Sequence, residues 1–360
     1  MTMPKTILLT GGAGFIGCNL ARWILQQTPH RVINVDKLTY AGIPASLADL
    51  DENRQYCFEQ VDIINPQQIR VVLKKHQPDW IMHLAAETHV DRSIDDPSPF
   101  IQSNIVGTYH LLDQSRHYFN QLDTAKKSDF RFHHVSTDEV YGPLDFGQSA
   151  FTETTSYQPT SPYSASKAAA DHLTRAWHTT YGLPVVISNS TNNYGPFQYP
   201  EKLIPVVILN ALYGKSIPVY GTGQNIRDWL YVTDHVQALM QVIENGNIGE
   251  TYHIGGSNEQ ANLELVQKLC QILDMKHPIA NNPKLSAKQR NNLVSYSDLI
   301  TLVADRPGHD LRYASSTEKI KQELGWEPRE NLTTGLEKTV DWYLANQDWW
   351  LPLCQNQEPS

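Results

Sequence analysis

The sequence predicts an α/β chain built on a doubly wound parallel sheet, with a smaller C-terminal lobe. Three observations carry that prediction. Short apolar runs alternate with segments of helical apolar spacing from Lys5 to Ser188, the rhythm of parallel strands joined by crossover helices. The first strand runs straight into a glycine-rich turn and a helix. Beyond Asn189 the rhythm loosens into polar turns. Residues 1–189 are therefore expected to form the first lobe and 190–360 the second. The two are partly interleaved, because the stretch from Asp228 to Glu244 is expected to return to the first.

The elements follow in order. Lys5 to Thr10 is a short buried strand, and Gly11-Gly12-Ala13-Gly14-Phe15-Ile16-Gly17 comes directly after it. Phe15 to Gln27 then has helical spacing through Ile16, Leu20, Ile24 and Leu25. Strand, glycine turn and helix make the context of a dinucleotide-binding, Rossmann-type unit. Gly11 permits the tight turn, Gly14 lets the backbone approach a pyrophosphate, and Gly17 lets the helix pack close. The helix N-terminus offers free N–H groups and partial positive charge to phosphates. A second strand, Arg31 to Val35, ends in Asp36, at the position where a carboxylate takes both ribose hydroxyls and repels a 2′-phosphate. NAD is expected rather than NADP.

Tyr56 to Val61 reads as a third strand ending at Asp62. Pro66 opens a helix to His76, with proline well placed in a first turn. Asp79 to Leu84 is a fourth strand, followed by Ala85 and Ala86, small enough for a cofactor to come close. Pro99 to Phe119 reads as one long helix. Phe130 to Val135 is the next strand, followed by Ser136, Thr137 and two adjacent acids, Asp138 and Glu139. Ligands of open α/β sheets lie outside the carboxyl ends of strands, so the pair is a candidate general acid and base. A solvated surface pair is the alternative.

Phe151 to Pro162 is a polar loop. The helix that follows carries Tyr163 and Lys167, four apart and so on one face. An ammonium there favours the phenolate, which makes Tyr163 a candidate base for a hydroxyl proton. Pro184 to Ser188 is a sixth strand. Further on, Glu201 to Pro205 begins a helix, and Lys202, Arg227, Arg306 and His309 are candidates to pair with a diphosphate. The tail from Trp349 reads as polar and frayed.

Composition narrows the function. A net charge of −9 without any basic run argues against general nucleic-acid binding. Cys18, Cys57, Cys270 and Cys354 lie far apart without metal-ligand spacing. They read as reduced thiols, and no metal is expected. Met1-Thr2-Met3-Pro4-Lys5 lacks the features of a signal peptide, and no apolar run approaches the ~18 residues of a membrane span. A soluble, cytoplasmic protein is expected.

Together these pieces resemble the extended short-chain dehydrogenase/reductase superfamily, and within it the dTDP-glucose 4,6-dehydratases of deoxysugar biosynthesis. The likeness runs from Ile7 to about Trp350. It is carried by Thr10 to Gly17, Val35 to Gly42, His83 to Ile94, Ser136 to Gly142, Ser161 to Lys167, Asn192 to Pro205, Asn225 to Tyr231 and Asp305 to Asp310. The Thr137-Asp138-Glu139 triplet separates such dehydratases from plain epimerases of the same fold. Departures from the pattern are Thr88 for Ser, Ser103 for Thr, Ile43 and His253 for Asn, Thr233 for Glu, Leu311 for Arg and Ser316 for Asp. Leu311 stands near the expected nucleotide pocket.

The resemblance implies an NAD site formed by Phe15, Ile16, Asp36, Lys37, Leu38, Thr39, Asp62, Ile63, Leu84, Ala85, Ala86, Glu87, Thr88, Ser103, Tyr163, Lys167 and Asn192. It implies a site for a sugar nucleotide, dTDP-glucose, at Thr88, Thr137, Asn193, Lys202, Leu203, Pro218, Val219, Tyr220, Arg227, Asn262, Asp305, Arg306, Pro307, Gly308 and His309. It also implies a homodimer formed through helices of the first lobe.

In the implied chemistry Tyr163 takes the C4 hydroxyl proton, Glu139 takes the C5 proton and Asp138 protonates the departing C6 hydroxyl. Thr137 bonds the C4 oxygen, and Lys167 holds the ribose and lowers the Tyr163 pKa. Asp138 must then be protonated at neutral pH, against an ordinary carboxyl value of about 3.9. The strand must also have ended by Asp138, because consecutive side chains of an extended strand point to opposite faces. Two rivals stay open: a sugar-nucleotide 4-epimerase, which needs no acid pair, and a catalytically silent NAD-binding regulator. A uridine nucleotide is an alternative to thymidine.

Overall fold

The computed structural model describes residues 3–305 and 309–355. Twelve strands are found among them: β1 Thr6–Thr10, β2 Arg31–Asp36, β3 Tyr56–Gln60, β4 Trp80–His83, β5 Arg131–Thr137, β6 Val185–Ser190, β7 Asn192–Tyr194, β8 Ile217–Tyr220, β9 Ile226–Tyr231, β10 Thr251–Ile254, β11 Glu259–Ala261 and β12 Ile300–Val303. Seven make one sheet in the order β10-β6-β5-β4-β1-β2-β3, and every pairing in it is parallel. The strand order reverses direction at β1, between β2 and β4, which is the switch point where such sheets open a crevice.

Alternation along the strands builds both faces. Ile7, Leu9 and Val32 point to one side, against Leu20 and Ile24 of the helix Phe15–Gln27 and Leu239 and Ile243 of the helix Val232–Asn245. Leu8, Ile33, Ile81 and Phe132 point to the other, against Ile69 and Val72 of the helix Pro66–His76 and Leu111 and Leu112 of the helix Thr108–Gln121. Strands buried on both faces read as continuous apolar runs, which is why β1, β4 and β6 were legible.

The chain leaves the large sheet after β6 and returns for the helix Val232–Asn245 and β10, which pairs with β6. The strand β9, just before that helix, lies instead in the second lobe, between β7 and β11. A two-stranded sheet, β8 with β12, and the helices Leu203–Leu212, Asn262–Lys276 and Leu332–Ala345 complete that lobe. Its separate core includes Ile204, Val207, Leu265, Leu269, Leu336 and Val340. Among the described residues no helix is long and apolar enough to cross a membrane.

Two expectations are corrected. The single helix read from Pro99 to Phe119 contains a seven-residue π-helical stretch, Ile101–Gly107, ahead of the regular helix Thr108–Gln121. Such stretches recur at functional sites, and this one buries Ser103 and Asn104. The tail from Trp349 is ordered as far as Gln355, since Gln347–Gln355 is helical; its last five residues lie outside the described residues. Trp350 is fully buried and donates to Tyr343 O at 2.8 Å. Trp349 donates to Ser46 Oγ at 2.8 Å, tying the tail to the first lobe. Leu351 and Cys354 pack with the indoles against the core of the second lobe, and so dock this segment. Trp350→Ala should lower stability by about 3–5 kcal/mol, read by urea unfolding.

Candidate active site

The strand ends converge on one cleft of about 700 Å³. Gly11 follows β1 with φ +74°, and a Cβ there would lie 2.6 Å from Ala85 N. Gly17 is as tight, its missing Cβ falling 2.2 Å from Gly11 O. The turn therefore packs backbone on backbone. The following helix starts at Gly14 with no side-chain cap and no acid in its first turn, so its N–H groups are left facing the cleft. At the end of β2, Asp36 takes Ala13 N–H at 3.0 Å on one oxygen and Leu38 N–H at 2.8 Å on the other. Burial raises the Asp36 pKa, and these two N–H groups act against the rise.

Strand β5 ends as the acid pair requires. Asp138–Tyr141 is a tight 3-10 turn, capped by Thr137 Oγ1 accepting Glu139 N–H at 3.3 Å. The backbone is no longer extended, so the two acids need not point to opposite faces. Glu139 lines the cleft with Ser136 and Thr137. Asp138 does not: it stands just behind Thr137, 2% exposed, with Oδ1 3.5 Å from the Thr137 hydroxyl. Burial, then the Glu139 and Asp228 charges, push its pKa well above the carboxyl range, opposed by Arg227.

The helix Pro162–Tyr181 begins with a capping box between Ser161 and Ser164 and has Pro162 in its first turn. That start sets Tyr163 and Lys167 in the cleft wall. Tyr163 is raised above the ordinary phenol value by burial and by Glu139, while a hydrogen bond from Thr137 works the other way. Lys167 is 5% exposed and donates to Val135 O at 2.8 Å. Burial pulls its pKa down to about 8, against the attraction of Asp171.

The second lobe supplies the opposite wall. Lys202 Nζ lies 3.5 Å from Thr88 O, and burial lowers its pKa. Arg227 donates to Asp310 O at 3.0 Å and lies over the Tyr313 ring. His309 pairs with Asp305 at 2.6 Å and reaches the cleft. Pro218, Tyr220, Asn192, Asn193, Leu203 and Asn262 also line it.

Most expected positions thus meet in one place: Gly11, Gly14, Phe15, Ile16, Gly17, Asp36, Lys37, Thr39, Ile63, Leu84, Ala85, Ala86, Thr88 and Ser103 all border the cleft. Besides Asp138, four described residues do not. Leu38, at φ 61°, turns into the first core. Asp62 caps its own turn at Ile64 N–H and faces Lys37 at 3.9 Å. Val219 is buried in the second core, and Asp305 acts on His309. Arg306, Pro307 and Gly308 lie outside the described residues.

Other residues were missed. His89, Glu201, Trp229, Asp310 and Tyr313 border the cleft. Asn104 bonds both backbone groups of Glu87, accepting its N–H at 2.8 Å and donating to its O at 3.0 Å, and donates to Ser166 at 2.8 Å. Nothing in the sequence marks that Asn. Asp171 did leave a signal, as the next fourth residue after Tyr163 and Lys167. Among the described residues one group, Cys57, Glu59 and His76, brings metal-ligand atom types within 4.8 Å. It lies outside the cleft, and Glu59 there already pairs with Lys75 and His76, both at 2.7 Å.

The family model described as GDP-mannose 4,6 dehydratase matches residues 8–339. The dTDP-glucose 4,6-dehydratase of Shigella flexneri is 54% identical over 351 residues, covering 95% of this chain and 94% of the relative. The chain belongs to the nucleotide-sugar 4,6-dehydratase family. Two solved dTDP-glucose 4,6-dehydratases of that family share its fold at 40% identity. The Bacillus anthracis enzyme, in complex with NAD, has a TM-score of 0.83 over 97% of this chain and 99% of its own. The Streptomyces venezuelae enzyme, with NAD and TYD bound, has a TM-score of 0.84 over the same shares.

The buried acid of this site has a measurable signature. A carboxyl whose folded pKa is raised holds its proton more tightly folded than unfolded. Its unfavourable contribution is absent below about pH 4 and grows as pH rises toward the raised value. Asp138→Asn removes that titration. The stability of the variant relative to wild type should therefore increase from pH 5 to pH 8, by on the order of 1 kcal/mol for each unit titrated, measured by urea unfolding across that range.

Proposed function

We propose that the protein is a dTDP-glucose 4,6-dehydratase, converting dTDP-glucose to dTDP-4-keto-6-deoxyglucose and water. The observation that carries this reading is the meeting of Tyr163, Lys167, Thr137 and Glu139 in one cleft wall, with Asp138 immediately behind. The Shigella relative, with more than half its residues identical, bears this name.

The cleft fits NAD. The glycine turn leaves no room for a Cβ, an uncapped helix N-terminus faces the phosphate position, and the Asp36 carboxylate stands at the end of β2 for the ribose. Bound NAD would accept hydride from C4 and return it to C6, so the reaction needs no added reductant. Residues 1–189 would hold the cofactor and most of 190–360 the sugar nucleotide.

The chain's own groups then divide the proton work. Tyr163 takes the C4 hydroxyl proton, with Thr137 bonding the C4 oxygen and Lys167 favouring the phenolate. Glu139, open to the cleft, removes the C5 proton that the 4-keto group has acidified, and C5 is reprotonated once hydride has been returned to C6. Asp138, held protonated by burial and by Glu139, gives its proton to the C6 hydroxyl, which leaves as water. Lys202, Arg227 and His309 face the diphosphate. The acid pair favours this over 4-epimerisation, which would leave a buried acid without a task.

The helices Thr108–Gln121 and Pro162–Tyr181 pack together and expose Tyr109 and Tyr181 around Trp177. That face supports a homodimer, and the four free cysteines support a reducing, cytoplasmic setting. Changing Tyr109 and Tyr181 together to Glu should shift the protein to monomer in sedimentation velocity, weakening dimerisation at least about tenfold.

Purified protein incubated with dTDP-glucose and no NADH should yield a product lighter by one water, read by mass spectrometry. Tyr163→Phe and Glu139→Gln should each lower kcat by about 10²–10⁴-fold. Turnover of UDP-glucose alone would keep the chemistry and overturn the thymidine assignment. Loss of water from neither would overturn the dehydratase reading.

A further inference from the structure

Four polar residues follow one another at every fourth position of the helix Pro162–Tyr181: Tyr163, Lys167, Asp171 and Arg175. Residues so spaced share one face. The first two line the cleft, and Asp171 is fully buried beyond them. Groups from several elements face its carboxylate. Tyr157 of the preceding loop donates to Oδ2 at 2.8 Å, and Asn189 of β6 donates to the same oxygen at 3.2 Å. His134 Nε2 of β5 lies 3.1 Å from Oδ1, off the line of a good hydrogen bond. Arg175 donates to the Tyr157 hydroxyl at 2.7 Å. Tyr141 of the 3-10 turn feels the carboxylate charge too.

A buried carboxylate persists only with donors and a cation nearby. Burial opposes its ionisation, but the His134 imidazole, the Lys167 ammonium and the Ser136 hydroxyl outweigh it and hold Asp171 below the ordinary carboxyl range. His134 itself is pushed toward neutrality by burial and by Lys167, and His83, whose ring lies tilted with its centroid 5.2 Å away, is pushed the same way. Lys167 and Arg175 are thus the cations whose charge acts on Asp171. The same charge works in reverse on Lys167. A buried ammonium sheds its proton unless an opposite charge is close, and Asp171 is the group that opposes that loss.

We propose that Asp171 is a positioning residue for the reaction: its buried carboxylate keeps Lys167 charged, and so sets the pH at which activity is lost on the alkaline side. The proposal rests on the dehydratase reading only for the task of Lys167. A charged Lys167 favours the Tyr163 phenolate; a neutral amine does not. Tyr157, Asn189 and His134 fix the carboxylate from outside the helix, so the charge stays in place through the turnover of the cleft.

The test is Asp171→Asn in the full chain, with two readouts. Competitive acetic anhydride labelling, resolved by peptide mass spectrometry, reports the pH midpoint at which the Lys167 amine becomes reactive. The pH profile of kcat with dTDP-glucose reports its consequence. The midpoint should fall by about one unit or more. The alkaline limb of kcat should move down with it, giving about tenfold lower kcat at pH 8.5 with KM within about twofold. Tyr157→Phe removes a hydrogen bond but keeps the charge, and should leave the midpoint in place. Asp171→Glu should restore it. If the Asn variant does not fold, Asp171→Ser, which offers a hydroxyl to the same donors, is read identically. A folded variant with an unmoved Lys167 midpoint would overturn the proposal and leave Asp171 a structural tether. If wild type fails to dehydrate dTDP-glucose, the functional reading falls, while the labelling midpoints still decide the role of Asp171.

Discussion

Strand β5 pairs in parallel with β4 on one side and β6 on the other, and the rest of the site depends on that double pairing. The register sets Thr137 opposite Ser190 and Ser136 opposite Asn189, so the chain can leave the sheet only at Asp138. There it coils into a 3-10 turn, which frees Glu139 toward the cleft while Asp138 stays in the wall. A slip of one residue would reverse every side chain of β5, and the apolar residues Phe132 and Val135, on opposite faces, would both lose their cores. Packing of the sheet therefore fixes the placement of the acids.

Burial then does the electrostatic work. It raises the Asp138 carboxyl and the Tyr163 phenol and lowers the Lys167 amine, in each case as the first cause. One low-dielectric wall thereby drives an acid and a base toward their neutral forms. The task of the neighbouring groups is to choose which of them keeps a charge: Glu139 favours the proton on Asp138, and Asp171 favours the proton on Lys167. The pattern matches what acid–base chemistry at neutral pH requires, where paired groups are tuned apart by their surroundings.

The lobes meet across the same cleft through a small set of contacts. Glu201 accepts from Tyr40 at 3.0 Å and from Arg92 at 3.2 Å, and Arg92 lies over the Tyr40 ring at 3.7 Å. Trp349 reaches back to Ser46, and Lys202 to Thr88. Because Val232–Asn245 and β10 return to the large sheet, the second lobe is built from two stretches of chain, one between β6 and that helix and one after β10, and its cationic residues face the strand ends.

The sequence by itself determined the parallel α/β architecture, the glycine turn, Asp36 and the Tyr163–Lys167 pair, because each is a local pattern: an apolar run, a spacing of three or four, a glycine demanded by backbone geometry. It pointed to the acid pair but not to its asymmetry, since whether a carboxylate faces a cleft or a wall depends on what packs behind it. Asn104 and the partners of Asp171 were invisible for the same reason: residues 62 and 37 positions apart in sequence, Ser166 with Asn104 and His134 with Asp171, become neighbours only after folding. The helical tail misled because its last residues, Gln355 to Ser360, are polar, while the docking of Trp349 and Trp350 depends on partners that no local rule foresees. Tertiary structure decided those points, because desolvation and long-range hydrogen bonding are set by neighbours distant along the chain.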